Sequence, residues 1–198
     1  MKEAAAVGLT VSTGRAVVVV LRGTRASPEI VVRYEIQLSD PWVRESSHPY
    51  HFEFGDAGAA GERARILGCK AAERAVHSAM RTLVSDMRAH GLEPRAAAIV
   101  VRSLIEPKRV RGVHPRAHAE ERKLYCSAVA ASLAECGVRA ATFEERAVRA
   151  SAAKILAMKA KQLDDMLWVF VRRVGTPWRA PEKLAALAAW ASLPESKT

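Results

Sequence analysis

Acidic side chains are scarce in this chain: 21 Asp and Glu stand against 31 Lys and Arg, leaving a net charge of +10. Such an imbalance disfavours basic partners and points to polyanions, nucleic acid first. Cysteine is scarce too. Cys69, Cys126 and Cys136 are odd in number and lack C-x-x-C spacing, which argues against a disulfide framework and for reduced, buried thiols in a cytoplasmic protein. No stretch reaches the roughly 20 apolar residues of a membrane helix, so no membrane partner is expected. Glu3 and the Gly14-Arg15 interruption argue against a secretory leader. None of G-x-x-x-x-G-K-[ST], G-x-G-x-x-G after a strand, or G-x-S-x-G occurs, so the common nucleotide-binding and serine-hydrolase signatures are missing.

What is present is a 198-residue chain, 49% hydrophobic, with enough apolar mass for one sizeable core. Residues 1–175 read as the main domain and 176–198 as a helical extension packed on it. Two valine-rich runs, 7–12 and 16–22, flank Thr13-Gly14-Arg15 and predict a β-hairpin. Residues 29–38 alternate apolar and polar positions, the mark of a strand with one wet face. Residues 39–61 hold Pro41, Pro49 and the aromatics Trp42, Tyr50, Phe52 and Phe54, read as an ordered surface loop whose aromatics seek burial. Apolar residues at three- and four-residue steps predict helices over 62–90 and 116–136. The runs at 96–102 and 138–143 predict two more strands. A helical region follows over 144–173, broken somewhere within 154–161, and a last helix over 182–192.

The order βββαβαβα with an added C-terminal helix predicts an α/β fold: a five-stranded mixed sheet with helices on both faces. It is the element order of the ribonuclease H-like fold. Within that fold the chain resembles RuvC-type Holliday-junction resolvases over about residues 6–174. Ala6-Val7-Gly8-Leu9-Thr10-Val11-Ser12 resembles the family's opening strand, with Thr10 on its aspartate. Ala98-Ile99-Val100-Val101 resembles the strand that presents a glutamate, with Val100 at that place. Gln162-Leu163-Asp164-Asp165-Met166-Leu167 resembles a helix with two aspartates three residues apart, Gln162 at the first and Asp165 at the second.

Two-metal phosphodiester cleavage needs several carboxylates, because hard divalent ions take anionic oxygen ligands. The resemblance therefore implies a nucleic-acid-binding fold with most of its metal site replaced, and no cofactor. Asp165, Asp164 and Glu106 are the vestigial candidates. A divergent Mg²⁺- or Mn²⁺-dependent nuclease built on those three acids is the alternative reading, and a scaffold for an acidic protein partner is a third. Adjacent helix positions point about 100° apart, so Asp164 and Asp165 cannot both face one pocket.

Positive charge clusters at 102–123 (net +4) and 144–161 (net +3). The candidate phosphate contacts are Lys108, Arg109, Arg111, His114 and Arg116 in the first stretch, and Lys154, Lys159 and Lys161 in the second. Gly112 and Pro115 predict that the first group projects from a loop. No aromatic interleaves it, so duplex or branched backbone fits better than stacked single strands. Of the two nucleic acids, DNA is the expected partner. Two histidine pairs, His48/His51 and His114/His118, have metal-like spacing. The first lacks a carboxylate or cysteine at ligand spacing. The second is interrupted by Pro115 and lacks a third ligand, so neither is expected to hold a metal. The long alanine-rich helices are also compatible with a homodimer.

Overall fold

Strand β1 (Glu3–Ser12) is apolar on both faces, and its position explains why. The computed structural model describes the backbone of residues 2–55 and 58–195, and the side chains of these except 53–55. In it β1 is the central strand of a five-stranded sheet of order β3-β2-β1-β4-β5. It pairs antiparallel with β2 (Arg15–Gly23), which pairs antiparallel with β3 (Pro28–Gln37). On its other side β1 runs parallel to β4 (Leu92–Val101), itself parallel to β5 (Arg139–Glu144). This is the mixed sheet that the element order predicts.

Alternate residues of β1 feed two cores, as the two-residue period of a strand requires. Val7 and Leu9, with Val18 and Ile99, meet α2 (Ala59–Ala89) and α3 (Val113–Glu135) through Val76, Met80, Tyr125 and Val129. Ala6, with Val19, Ala98 and Val100, faces α4 (Glu145–Ile155), α5 (Ala160–Val174) and α6 (Ala180–Ser192), which contribute Val148, Leu163, Phe170, Leu187 and Trp190. A short α1 (Pro49–Gly55) packs against α2 and α3. Among the described residues no helix is long and apolar enough to cross a membrane.

The structure departs from the sequence pattern at three places. Strand β4 begins at Leu92 rather than near residue 96, because Pro94 is tolerated where the β1–β4 register shifts after Ala5. Helix α3 begins at Val113, so Pro115 sits in its first turn. Backbone N–H groups there have no helical partner to lose, and Pro115 does not keep this segment in a loop. Residues 39–61 are partly helical, and Trp42 is 92% exposed rather than buried. Tyr50 and Phe52 are half-buried, while Phe54 lies outside the described side chains. All three cysteines are free and half-buried.

The tightest constraint on the second core is Gly8. A Cβ placed there would lie 1.9 Å from the Ala185 carbonyl oxygen, so α6 touches β1 backbone to backbone. The buried face of α6 is correspondingly small, with Ala185, Ala186, Ala188 and Ala189 against the sheet. Trp190, fully buried, donates its indole N–H to the Arg25 carbonyl (2.8 Å) and locks the far end of α6 to the β2–β3 turn. Gly8→Ala should cost about 1–3 kcal/mol through overpacking against the helix backbone. Urea unfolding of the two proteins measures it, with the loss expected in the midpoint at unchanged slope.

Candidate functional site

The C-terminal ends of the parallel strands β1 and β4 open into a cleft of ≈ 550 Å³. Parallel strands make such crevices because their connections leave on opposite sides of the sheet. Thr10 to Thr13 form its floor at the end of β1, and Arg102 follows β4. One wall is the start of α3, presenting His114, Pro115, His118 and Arg122. The opposite side is made by Glu145 at the start of α4 and Pro181 at the start of α6.

Thr10 donates its hydroxyl to the Pro181 carbonyl oxygen at 2.8 Å. Its hydroxyl is thus committed to anchoring the first turn of α6. Val100 is the register partner of Thr10 and is fully buried in the second core. The helix that meets Thr10 is therefore α6. The segment of residues 162–167, which the sequence pattern offers for this place, belongs to α5. Gln162 there accepts the Lys159 N–H at 2.8 Å, closing the helix start.

None of the three candidate acids lines the cleft. Glu106 faces a separate cavity of ≈ 190 Å³ and pairs with Lys123 at 2.8 Å, whose hydrogen bond holds the carboxyl below the usual range. Asp164 faces another cavity with Trp168 and pairs with Arg149 at 2.5 Å, which depresses it in the same way. Asp165 is exposed one position further along α5. A pair of hard divalent ions needs several anionic oxygens. Among the described residues the cleft wall offers one carboxylate, Glu145, so its donor set does not suit them.

The cleft is instead cationic. Arg122 is partly buried, and burial followed by the charge of Arg102 lowers its pKa from the ordinary arginine value. Two guanidiniums close enough to repel each other over one cleft are eased by an anion between them. Both residues belong to the basic stretch 102–123, outside the candidate phosphate contacts that the sequence offers there. No local pattern distinguishes a charge that turns inward from one that stays in water.

Around this cleft the predicted basic residues divide. Lys108 and Arg109 form a tight turn (Pro107–Arg109), and Arg111, His114 and Arg116 follow at the entry to α3, all exposed. Lys154 is exposed at the other end of α4, roughly 14 Å along the helix from Glu145. Lys159 and Lys161 are exposed at the start of α5. Of the first group only His114 lines the cleft, and the second belongs to α4 and the start of α5, which pack on the opposite face of the sheet from α3.

Four histidines gather beside the cleft, overturning the premises that set them aside. Because α3 begins at Val113, His114 and His118 share one helical face, with ring centroids 4.6 Å apart. His51, carried by α1, lies 4.8 Å from the first ring and 4.5 Å from the second. His48 stands 5.5 Å from His51. Behind them Glu121 is fully buried. Its Oε1 is 2.7 Å from His51 Nδ1 and its Oε2 is 3.5 Å from His118 Nδ1. Burial first, then the neighbouring imidazoles, lowers the pKa of His118. Tyr125 donates its buried hydroxyl to the Ser46 carbonyl, holding the segment that leads into α1.

No family model and no curated protein matches the chain. Solved structures do. Thermus thermophilus RuvC in complex with a Holliday junction substrate aligns over 94% of this chain and 91% of its own, at TM-score 0.57 and 12% identity. A second Thermus thermophilus RuvC structure aligns at TM-score 0.54 and 11% identity, covering 94% of this chain and 92% of its own. The fold is ribonuclease H-like. The yeast mitochondrial Holliday junction resolvase Ydc2 also matches, at TM-score 0.45 and 8% identity over 94% of this chain and 76% of its own.

With the RuvC-like sheet in place, Thr10 and Asp165 should separate cleanly in stability. Thr10→Val strands the Pro181 carbonyl and should cost about 1–2 kcal/mol. Asp165→Asn, at an exposed site, should stay within about 0.5 kcal/mol of the parent. Parallel thermal and urea melts check both.

Proposed function

We propose that this protein binds the phosphate backbone of duplex or branched DNA in the cleft at the ends of β1 and β4, without cutting it by two-metal chemistry. The observation that carries the reading is the convergence of Arg102 and Arg122 on that cleft; Lys108, Arg109, Arg111 and Arg116 are exposed in the segment that leads into α3. Guanidiniums make paired hydrogen bonds to phosphate oxygens, and such contacts supply affinity without reading sequence. A RuvC of the same fold is seen on a Holliday junction, which supports a branched DNA as the first ligand to try.

Loss of cleavage is supported by what stands at the expected carboxylate positions. Thr10 is tied to α6, Val100 is buried among apolar side chains, and Gln162 closes the start of α5. Of the three acids of a divergent nuclease, Glu106 and Asp164 are each paired with a cation and face different cavities, and Asp165 is exposed on α5.

Fluorescence anisotropy with labelled four-way junction, duplex and single-stranded DNA across a salt series is the direct test. Affinity should fall steeply with salt. Arg102→Ala and Arg122→Ala should each weaken binding roughly ten-fold and reduce the slope of log K against log salt by about 1. Absence of salt-sensitive binding to all three DNAs overturns the reading. Junction cleavage in Mg²⁺ or Mn²⁺ overturns its non-catalytic part.

A further inference from the structure

We propose that His51, His114 and His118 bind one divalent transition-metal ion of the zinc class, with an open coordination position facing the cleft. One nitrogen from each ring lies within 4.8 Å of the others. Three atoms so spaced fall within about 2.8 Å of a common point, so closing on an ion at about 2.0–2.1 Å requires only small ring movements. Imidazole nitrogen is a preferred donor for zinc, copper, nickel and cobalt, and a poor one for magnesium. The site is therefore chemically distinct from a carboxylate pair of hard ions.

Glu121 supplies the second and independent observation. It is fully buried, its Oε1 pairs with His51 Nδ1, and its Oε2 has no hydrogen-bond partner among the described residues. A buried carboxylate served by a single hydrogen bond lacks charge compensation. Both His51 and His118 turn Nδ1 toward it, which leaves Nε2 of each ring for a ligand on the far side. A carboxylate behind the ligating rings fixes their tautomer and raises their basicity, and a dication beyond them balances the carboxylate. His114 and His118 line the cleft, so an ion they hold is reachable from it. Three protein ligands leave a zinc ion one position for water or for an anionic oxygen. The assignment of that position to a phosphate oxygen rests on the DNA-binding reading above, whereas the metal site does not.

The test uses tag-free full-length protein, stripped with a chelator and dialysed. Calorimetric titration with Zn²⁺ should give one ion per chain, and Co²⁺ should develop the visible absorption of a nitrogen-ligated site. His114→Ala, at an exposed position, should weaken Zn²⁺ binding at least 100-fold while leaving circular dichroism unchanged. His51→Ala and His118→Ala should do the same, and Glu121→Gln should weaken it about 10–100-fold. His90→Ala, on the distant end of α2 with its ring on the Asp86 carbonyl, should change nothing. Failure to bind one Zn²⁺ per chain overturns the proposal, as does binding that survives both His114→Ala and His118→Ala. Zn²⁺ loading should also tighten junction binding in the parent and not in His118→Ala. Unchanged affinity on loading overturns the open position alone, leaving both the metal site and DNA binding standing.

Discussion

The close approach of α6 to β1 at Gly8 is the constraint on which the rest of the molecule depends. Backbone contact without a Cβ lets the Ala-rich face of α6 lie flat on the central strand. Its first turn then falls at the end of β1, where Thr10 holds Pro181. Trp190 secures its other end. The helix cannot shift along the sheet without losing one of these contacts, so one side of the cleft is fixed to the floor. The opposite wall, α3, is fixed through Tyr125 and Val129 on the other core. The cleft is thus the gap between two layers that grip the same strand from opposite faces.

Electrostatics gives that gap its character. Arg102 and Arg122 repel each other across a partly desolvated space, while the fully buried carboxylate of Glu121 faces His51 and His118. Pairing each peripheral acid with its own base, Glu106 with Lys123 and Asp164 with Arg149, leaves little negative charge to oppose an incoming anion. Such surface pairs add little to stability. With Glu145 as the one carboxylate on its wall among the described residues, the cleft carries an excess of positive charge, and low-dielectric walls strengthen the field of such a cleft.

Much of the fold was legible because its signals are local. The Gly14 turn, the alternation of residues 29–38 and the apolar run of β4 each follow from backbone geometry within a few residues. The candidate site was legible only in part. The pattern puts Thr10 in the first strand, where β1 carries it, but the helix beside it is α6 and not α5, since helix placement depends on which face can come closest to Gly8. Pro115 suggested a loop because proline breaks helix interiors, yet it stands in a first turn, where it costs nothing. Trp42 was expected inside and stays in water.

By itself the sequence determined the order of strands and helices, the mixed sheet that this order allows, and the excess of positive charge. These are properties of neighbouring residues and of sums over the chain. Tertiary structure alone decided which charges meet. His51 and His118 are 67 positions apart in the chain, and their rings lie 4.5 Å apart because α1 packs across α3. Glu121 reads in the sequence as one more surface acid of a basic stretch. Packing of α1 over α3 removes it from water and sets it against His51 and His118, because a buried carboxylate needs polar partners.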